Sequence, residues 1–249
     1  MNRWIQLLFG IVSYLLFLAT IAYGIAFFGN LFVARTIDAA ASVTFAAALP
    51  VNIGLLLLFA AQHSGMARPG FKRWLARVIP PFLTRSLYVF TSSAALIAIM
   101  ALWQPMGGVV WSIELPLPRH LIMLVYVLGW GLMIWSTFLL DHFELFGLRQ
   151  VWCEFRGRKC VAPPFATPAA YKYVRHPIYA GWLIVVWASP VMTVSHLVLA
   201  VGITAYTFMG IRLEEIELAR RLPYYEQYRR KVPMLIPSLR KRLLERADR

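Results

Sequence analysis

Residues 171–194 read YKYVRHPIYAGWLIVVWASPVMTV. The first nine positions hold Tyr171, Lys172, Tyr173, Arg175, His176 and Tyr179, and the chain then turns almost wholly apolar. Pro177 fits the first position of a helix, where its missing N–H would lack a partner anyway. The stretch therefore predicts an apolar helix over about Pro177–Val194, with an Arg-His pair at its start and Pro190 kinking or ending it. Whether that helix lies in a protein core or in lipid is decided by the rest of the chain.

The 249 residues are 60% hydrophobic and only 14% charged. Soluble domains have roughly 45–50% apolar and about 25% charged residues. The composition is that of an integral membrane protein. Nine Trp and eleven Tyr suit the aromatic belts of a bilayer interface. The net charge of +14 then belongs to loops held against anionic lipid, and no nucleic-acid partner is expected. Cys153 and Cys160 stand in a C-x6-C spacing that fits no metal motif, and both read as ordinary thiols. The N-terminal apolar run is longer than the ~7–15 residues of a cleavable signal, so it reads as a retained span.

A span needs roughly 20 apolar residues. Six candidates emerge, at about Ile5–Phe28, Thr44–Ala61, Ser86–Trp103, His120–Leu140, Pro177–Val194 and Ser195–Ile211; five remain possible if the first segment does not cross. The last two form a helical hairpin. With six spans, every Lys and Arg except Arg35 and Arg119 falls on one side. The positive-inside rule makes that side the cytosol, with both termini on it. The fold class is an all-α integral membrane protein in one domain, 1–249, with no repeat. The C-terminal stretch LRKRLLERADR reads as a surface anchor on anionic lipid.

Ionisable groups at span ends mark sites more often than ionisable groups in loops do. Four such clusters occur. Gln62, His63 and Arg68 end the second span. Asp141, His142, Glu144, Arg149 and Gln150 end the fourth; if that stretch stays helical, Asp141 and Arg149 share a face, and Gly147 can break it. Arg175 and His176 open the fifth. Arg212, Glu214, Glu215 and Glu217, then Tyr224, Tyr225 and Tyr228, follow the sixth. All four lie at the same predicted membrane face and can converge on one cavity. The bland alternatives are snorkelling side chains, a satisfied interface histidine at His63, and a solvated helix pair between Glu217 and Arg220 or Arg221.

RHPIYAG at 175–181, LEE at 213–215 and YYEQYRRKVPMLIP at 224–237 resemble the membrane methyltransferases related to isoprenylcysteine carboxyl methyltransferase and the phospholipid N-methyltransferases. The likeness implies an S-adenosylmethionine pocket over about 165–240, built from Tyr173, Val174, Arg175, His176, Tyr179, Glu214, Glu215 and Tyr225. FFGNLFVARTID at 27–38, FAAQHSGMARPGFKRW at 59–74 and HFELFGLRQVW at 142–152 are similar to the bacterial methanethiol S-methyltransferases, over nearly the whole chain. That implies methanethiol as the small volatile acceptor, dimethyl sulfide as product, residues 1–164 as the acceptor side, and a multi-pass protein of the bacterial inner membrane.

The residue types tolerate this chemistry. The donor's ammonium needs a carboxylate, from Glu214 or Glu215, and its carboxylate needs a cation, from Arg175. The sulfonium and adenine need aromatic surface, from Tyr173, Tyr179 and Tyr225. An alkyl thiol is a weaker acid than cysteine, whose pKa is ~8.5, so a base is useful. His142 with Asp141 is the favoured candidate, His63 another, with Arg149 and Gln150 closing the site. No metal is required. A different acceptor (an isoprenylcysteine carboxylate, a lipid amine or another small thiol) and a non-enzymatic accessory protein are the competing expectations.

Overall fold

The computed structural model describes residues 2–161 and 166–237. The basic stretch at 239–249 lies outside the described residues. Ten α-helices are described: α1 (Arg3–Gly29), α2 (Phe45–Ala67), α3 (Pro69–Leu75), α4 (Thr84–Leu102), α5 (Pro116–Leu139), α6 (His142–Leu145), α7 (Leu148–Phe155), α8 (Pro177–Trp187), α9 (Val194–Arg221) and α10 (Tyr225–Lys231). Two short strands, β1 (Val109–Ser112) and β2 (Val191–Thr193), pair antiparallel.

Five helical segments are long and apolar enough to cross a membrane: α1, α2, Pro81–Leu102, α5 and α9. Their outer faces carry exposed Leu8, Leu15, Leu57, Leu58, Leu121 and Leu128, which only lipid covers without cost. The protein is a multi-pass, all-α membrane protein.

The expected fifth span is shorter than its hydropathy suggested. α8 has 11 residues, about 16 Å of helix against a ~30 Å hydrocarbon core. Ser189 precedes Pro190 and is therefore biased out of helical geometry, and the chain runs on as β2 instead. Pro190 O accepts from Ile113 N at 2.9 Å, and Trp111 Nε1 donates to Ser189 O at 3.1 Å. β2 thus ties the α8–α9 turn to the α4–α5 connection, and α8 and α9 do form a hairpin.

α8 lies against α5 more extensively than any other pair of elements lies together. Glycines permit it. A Cβ at Gly181 would stand 2.7 Å from Gly129 O and 2.8 Å from Met133 N, so no larger residue fits without moving backbone. The main core gathers Phe27, Phe28, Trp103, Tyr126, Trp130, Val185 and Leu199.

A second small cluster of Leu7, Leu83 and Val151 joins the start of α1, the entry to α4 and α7. The chain's N-terminal helix start therefore shares one end of the bundle with α7. The opposite end holds the β-ribbon and the α1–α2 loop.

Candidate functional site

Both walls of the site end are set by backbone breaks. α5 stops at Leu139, and Asp141 adopts φ +67°, a left-handed conformation unusual for a residue other than glycine. Its Oδ1 accepts from Glu144 N at 3.1 Å and so caps α6. Gly147 at φ +86° breaks the helix again; a Cβ there would also meet Ser86 N at 2.8 Å. Asp141 and Arg149 still form an ion pair, but two turns of chain reversal bring them together, not one continuous helical face. Gln150 Nε2 donates to Glu144 O at 3.0 Å.

His142 is buried among Phe138, Phe146, Phe17 and Tyr14, and stacks on Phe138 at 4.2 Å. Thr137 Oγ1 donates to Ile134 O at 2.6 Å, so at 2.7 Å it must accept from His142 Nδ1–H. Tyr14 Oη meets Nε2 at 2.9 Å. Both ring nitrogens of His142 are taken. Burial lowers its pKa, against the opposing pull of Asp141. His142 is thereby tied to both α1 and α5 and does not line the cavity described below.

At the start of α8, Arg175 Nε donates to Glu215 Oε1 at 2.7 Å and His176 Nε2 donates to the same oxygen at 3.0 Å. These side chains are 8%, 4% and 9% exposed for Arg175, His176 and Glu215. Arg175 Nη1 also donates to Arg229 O and Val232 O, while Arg175 N and His176 N donate to Pro233 O and Met234 O. The segment after α9 is thereby stitched onto the entry to α8. Tyr228 Oη donates to Tyr171 O at 2.6 Å; its pKa is pushed up to about 12 by burial, with Glu215 adding and Arg175 opposing. Tyr225 is buried beside Tyr228, Val174 is buried, and Tyr173 is exposed.

Glu214 faces the other way. Its Oε2 accepts from Tyr179 Oη at 3.0 Å. Tyr179, Tyr88, Tyr206 and Glu214 lie within electrostatic reach of one another. Tyr88 Oη meets His63 Nε2 at 2.8 Å, Ser92 Oγ meets His63 Nδ1 at 3.1 Å, and Ser64 Oγ meets Tyr206 Oη at 2.9 Å.

Beside these groups is a cavity of about 260 Å³, walled by Met66, Leu75 and Pro81 and by the polar Lys72, Arg85, Tyr88 and Gln150. Among the described residues neither Lys72 nor Arg85 forms an ion pair. Burial, then the positive charges of Arg85 and Arg221, lower the pKa of Lys72 against the pull of Glu217.

The structure thus brings His63, Gln150, Tyr179 and Glu214 to one side of the α8 entry and holds Arg175, His176, Glu215 and Tyr225 on the other. His142, Asp141 and Arg149 stand apart, at the α5–α7 corner. Tyr88, Tyr206, Lys72 and Arg85 were not among the expected site residues. Their signal was weak, since a Tyr or Arg near a span end reads first as an interface anchor. Among the described residues no group of three His, Cys, Asp or Glu can hold a metal ion, and Cys153 and Cys160 are free thiols.

A polytopic helical membrane protein with a buried Arg-His-Glu clamp and an adjoining cation-lined cavity at one end of its bundle is the class that fold and site define. The particular family follows from sequence relatives. The chain is 43% identical over 243 residues to the methanethiol S-methyltransferase of Crocosphaera subtropica, covering 97% of this chain and 95% of that one. It is 42% identical over 238 residues to that of Mycobacterium tuberculosis, covering 95% and 98%. Nurim of Xenopus laevis is 31% identical over 188 residues, 71% of this chain and 65% of its own. No family model and no solved structure matches. The chain belongs to the methanethiol S-methyltransferase family.

Proposed function

We propose that this protein transfers the methyl group of S-adenosylmethionine to methanethiol, releasing dimethyl sulfide, at a site facing the cytosol from the bacterial inner membrane. The observation that carries the reading is the division of labour between adjacent carboxylates. Glu215 is locked into Arg175 and His176, while Glu214 turns toward Tyr179 and the phenols beside the cavity.

The residues fit the donor. When bound, S-adenosylmethionine supplies an electrophilic methyl on a sulfonium. Glu214 is placed to take its ammonium, and Tyr179 and Tyr173 offer aromatic surface for the sulfonium and adenine, with Tyr225 packed behind them. The free amides at the start of α8 present positive charge to its carboxylate, and Arg175 and His176, held by Glu215, fix that helix start in place. Glu215 and Val174 hold that wall in place, and the Arg175 contacts to Val232 and Arg229 keep the tail over it.

The acceptor needs little besides a small cavity and alignment, from which much of the rate can come. A cavity of about 260 Å³ suits a one-carbon thiol. Lys72 and Arg85 favour the thiolate over the thiol, and Gln150 contributes a polar edge. Asp141 and Arg149 brace the start of α7, which carries Gln150. The cytosolic orientation is supported by the basic residues crowded at this end.

Headspace gas chromatography of purified protein with S-adenosylmethionine and methanethiol tests the reading. Wild type forms dimethyl sulfide, and Arg175→Ala and Glu214→Ala lose it. Binding of S-adenosylhomocysteine without dimethyl sulfide would keep the methyltransferase and discard the acceptor. Absence of binding would leave an accessory protein.

A further inference from the structure

A row of hydrogen bonds runs from the cavity wall into the bundle. Tyr88 lines the cavity directly and Gln150 faces it from α7. Behind Tyr88 its hydroxyl meets His63 Nε2 at 2.8 Å, and behind His63 the Nδ1 meets Ser92 Oγ at 3.1 Å. Phe59 stacks on the imidazole at 5.1 Å and holds its plane. Ser92 Oγ also accepts from Gln62 Nε2 at 3.3 Å, so the row is anchored at its far end. Three groups from two helices are thus hydrogen-bonded in succession, starting from the cavity wall. His63 has no edge of its own on the cavity; only Tyr88 does.

We propose that Tyr88 is the catalytic group that touches the acceptor thiol, and that His63 takes the proton through it. This rests on the methyltransferase reading above. The S–H proton of the thiol moves to Tyr88 Oη as the phenol proton moves to His63 Nε2. The S–H bond breaks and its electron pair stays on sulfur, which uses it to form the new S–CH3 bond. The bond from the donor's sulfonium to that methyl breaks, its electron pair returns to the donor sulfur, and the donor leaves neutral. His63 becomes an imidazolium with Nδ1–H donating to Ser92 Oγ. It returns the proton to the cavity through Tyr88 when product leaves. Lys72 and Arg85, on the same cavity, hold the transient thiolate.

The arrangement differs from a lone histidine base in one testable respect. The phenol carries no charge in the resting state, so it does not compete with the thiolate for Lys72 and Arg85. The groups facing this row are Arg85 on α4, Lys72 on α3, Tyr179 on α8, and Tyr206 and Glu214 on α9. The pH response of the relay is therefore read against theirs, by comparing variants at the same pH.

The test uses the full chain in detergent or nanodiscs, with Tyr88→Phe and His63→Gln beside wild type. Phe keeps the ring, and Gln keeps a hydrogen-bonding group while removing the proton acceptor. Dimethyl sulfide formation at pH 7 falls roughly 10²-fold in both variants, the usual scale of proton-transfer catalysis. The loss shrinks to a few-fold when an acidic thiol, already ionised at pH 7, replaces methanethiol. Calorimetric affinity for S-adenosylhomocysteine stays within about twofold of wild type. A loss of equal size with both thiols would make the pair merely structural and overturn the relay. So would an unchanged rate in Tyr88→Phe. If wild type itself makes no dimethyl sulfide, the parent reading fails instead.

Discussion

The two ends of the bundle treat their polar groups in opposite ways. At the ribbon end, Asp38 accepts from Asn30 Nδ2 at 2.7 Å, Thr193 Oγ1 at 2.6 Å, Thr193 N at 3.2 Å and His196 Nδ1 at 3.0 Å. His196 is fully buried, and its Nε2 donates to Val186 O at 3.0 Å. Both Asp38 oxygens and both His196 ring nitrogens are matched within the protein, and the knot joins the α1–α2 loop to the head of α9. At the site end, Lys72 and Arg85 line a cavity without an ion pair among the described residues, and Gln150 Oε1 is buried without a hydrogen-bond partner. A region whose polar groups are closed on themselves serves the fold. One whose groups stay unpaired keeps them available to a ligand.

The largest effect expected from this contrast is at the closed end. Asp38→Ala strands His196 with no anion in a fully buried place, and breaking a buried pair in this way costs roughly 3–5 kcal/mol. Thermal unfolding in nanodiscs should show a large drop in Tm, with the affinity for S-adenosylhomocysteine of the folded protein unchanged. A parallel loss of affinity would mean that the ends are coupled and the contrast is false.

Acid sharpens the same point. Burial pushes the Asp38 carboxyl up, but His196, by hydrogen bond and charge, and then Thr193 and Asn30 outweigh it and hold the carboxyl below its usual value. A folded-state pKa below the unfolded one gives stability that is full above the unfolded value of ~3.9 and is lost as pH falls through the folded value. Wild type should therefore lose Tm on acidification below about pH 4, more steeply than Asp38→Asn, which has no carboxylate to protonate.

Much of this was legible in the sequence, and what was not has identifiable causes. Pro177 at the helix start, the single end shared by all four polar clusters and a pair between Glu217 and Arg220 or Arg221 could be read directly. Each depends on local chemistry or on charge along the chain. The length of α8 could not, because hydropathy registers apolar residues equally in a helix and in the strand that follows. The partners of His142 were hidden for a different reason. Tyr14 and Thr137 satisfy it from two helices, and Tyr14 is 128 positions away. Tyr88 failed in the reverse direction, since an isolated tyrosine near a span end looks like an interface anchor until His63 is found behind it.

His142 tests the site end from within. His142→Phe keeps the aromatic packing but leaves the Tyr14 hydroxyl and Thr137 Oγ1 without their partner, at about 1–3 kcal/mol. The expected result is a lower Tm with the pH dependence of dimethyl sulfide formation unchanged in shape. A flattened pH profile would return His142 to the chemistry and remove His63 from it.

The smallest effect lies outside both ends' interiors. Arg221 Nε donates to Glu217 Oε1 at 2.6 Å across one helical turn, with side chains 63% and 38% exposed. Its geometry is as good as that of the Asp38–His196 pair, but water already solvates both charges. An exposed i,i+4 pair of this kind is worth ~0.3–0.5 kcal/mol. Arg221→Ala should shift Tm by no more than about 1–2 °C, and the shift should vanish in ~1 M salt, where screening acts within about 3 Å. The Asp38→Ala loss should survive the same salt, because counterions do not enter a buried knot. Equal salt sensitivity would show that the ribbon end is open to solvent, and the distinction between a closed end and an open one would have to be drawn elsewhere.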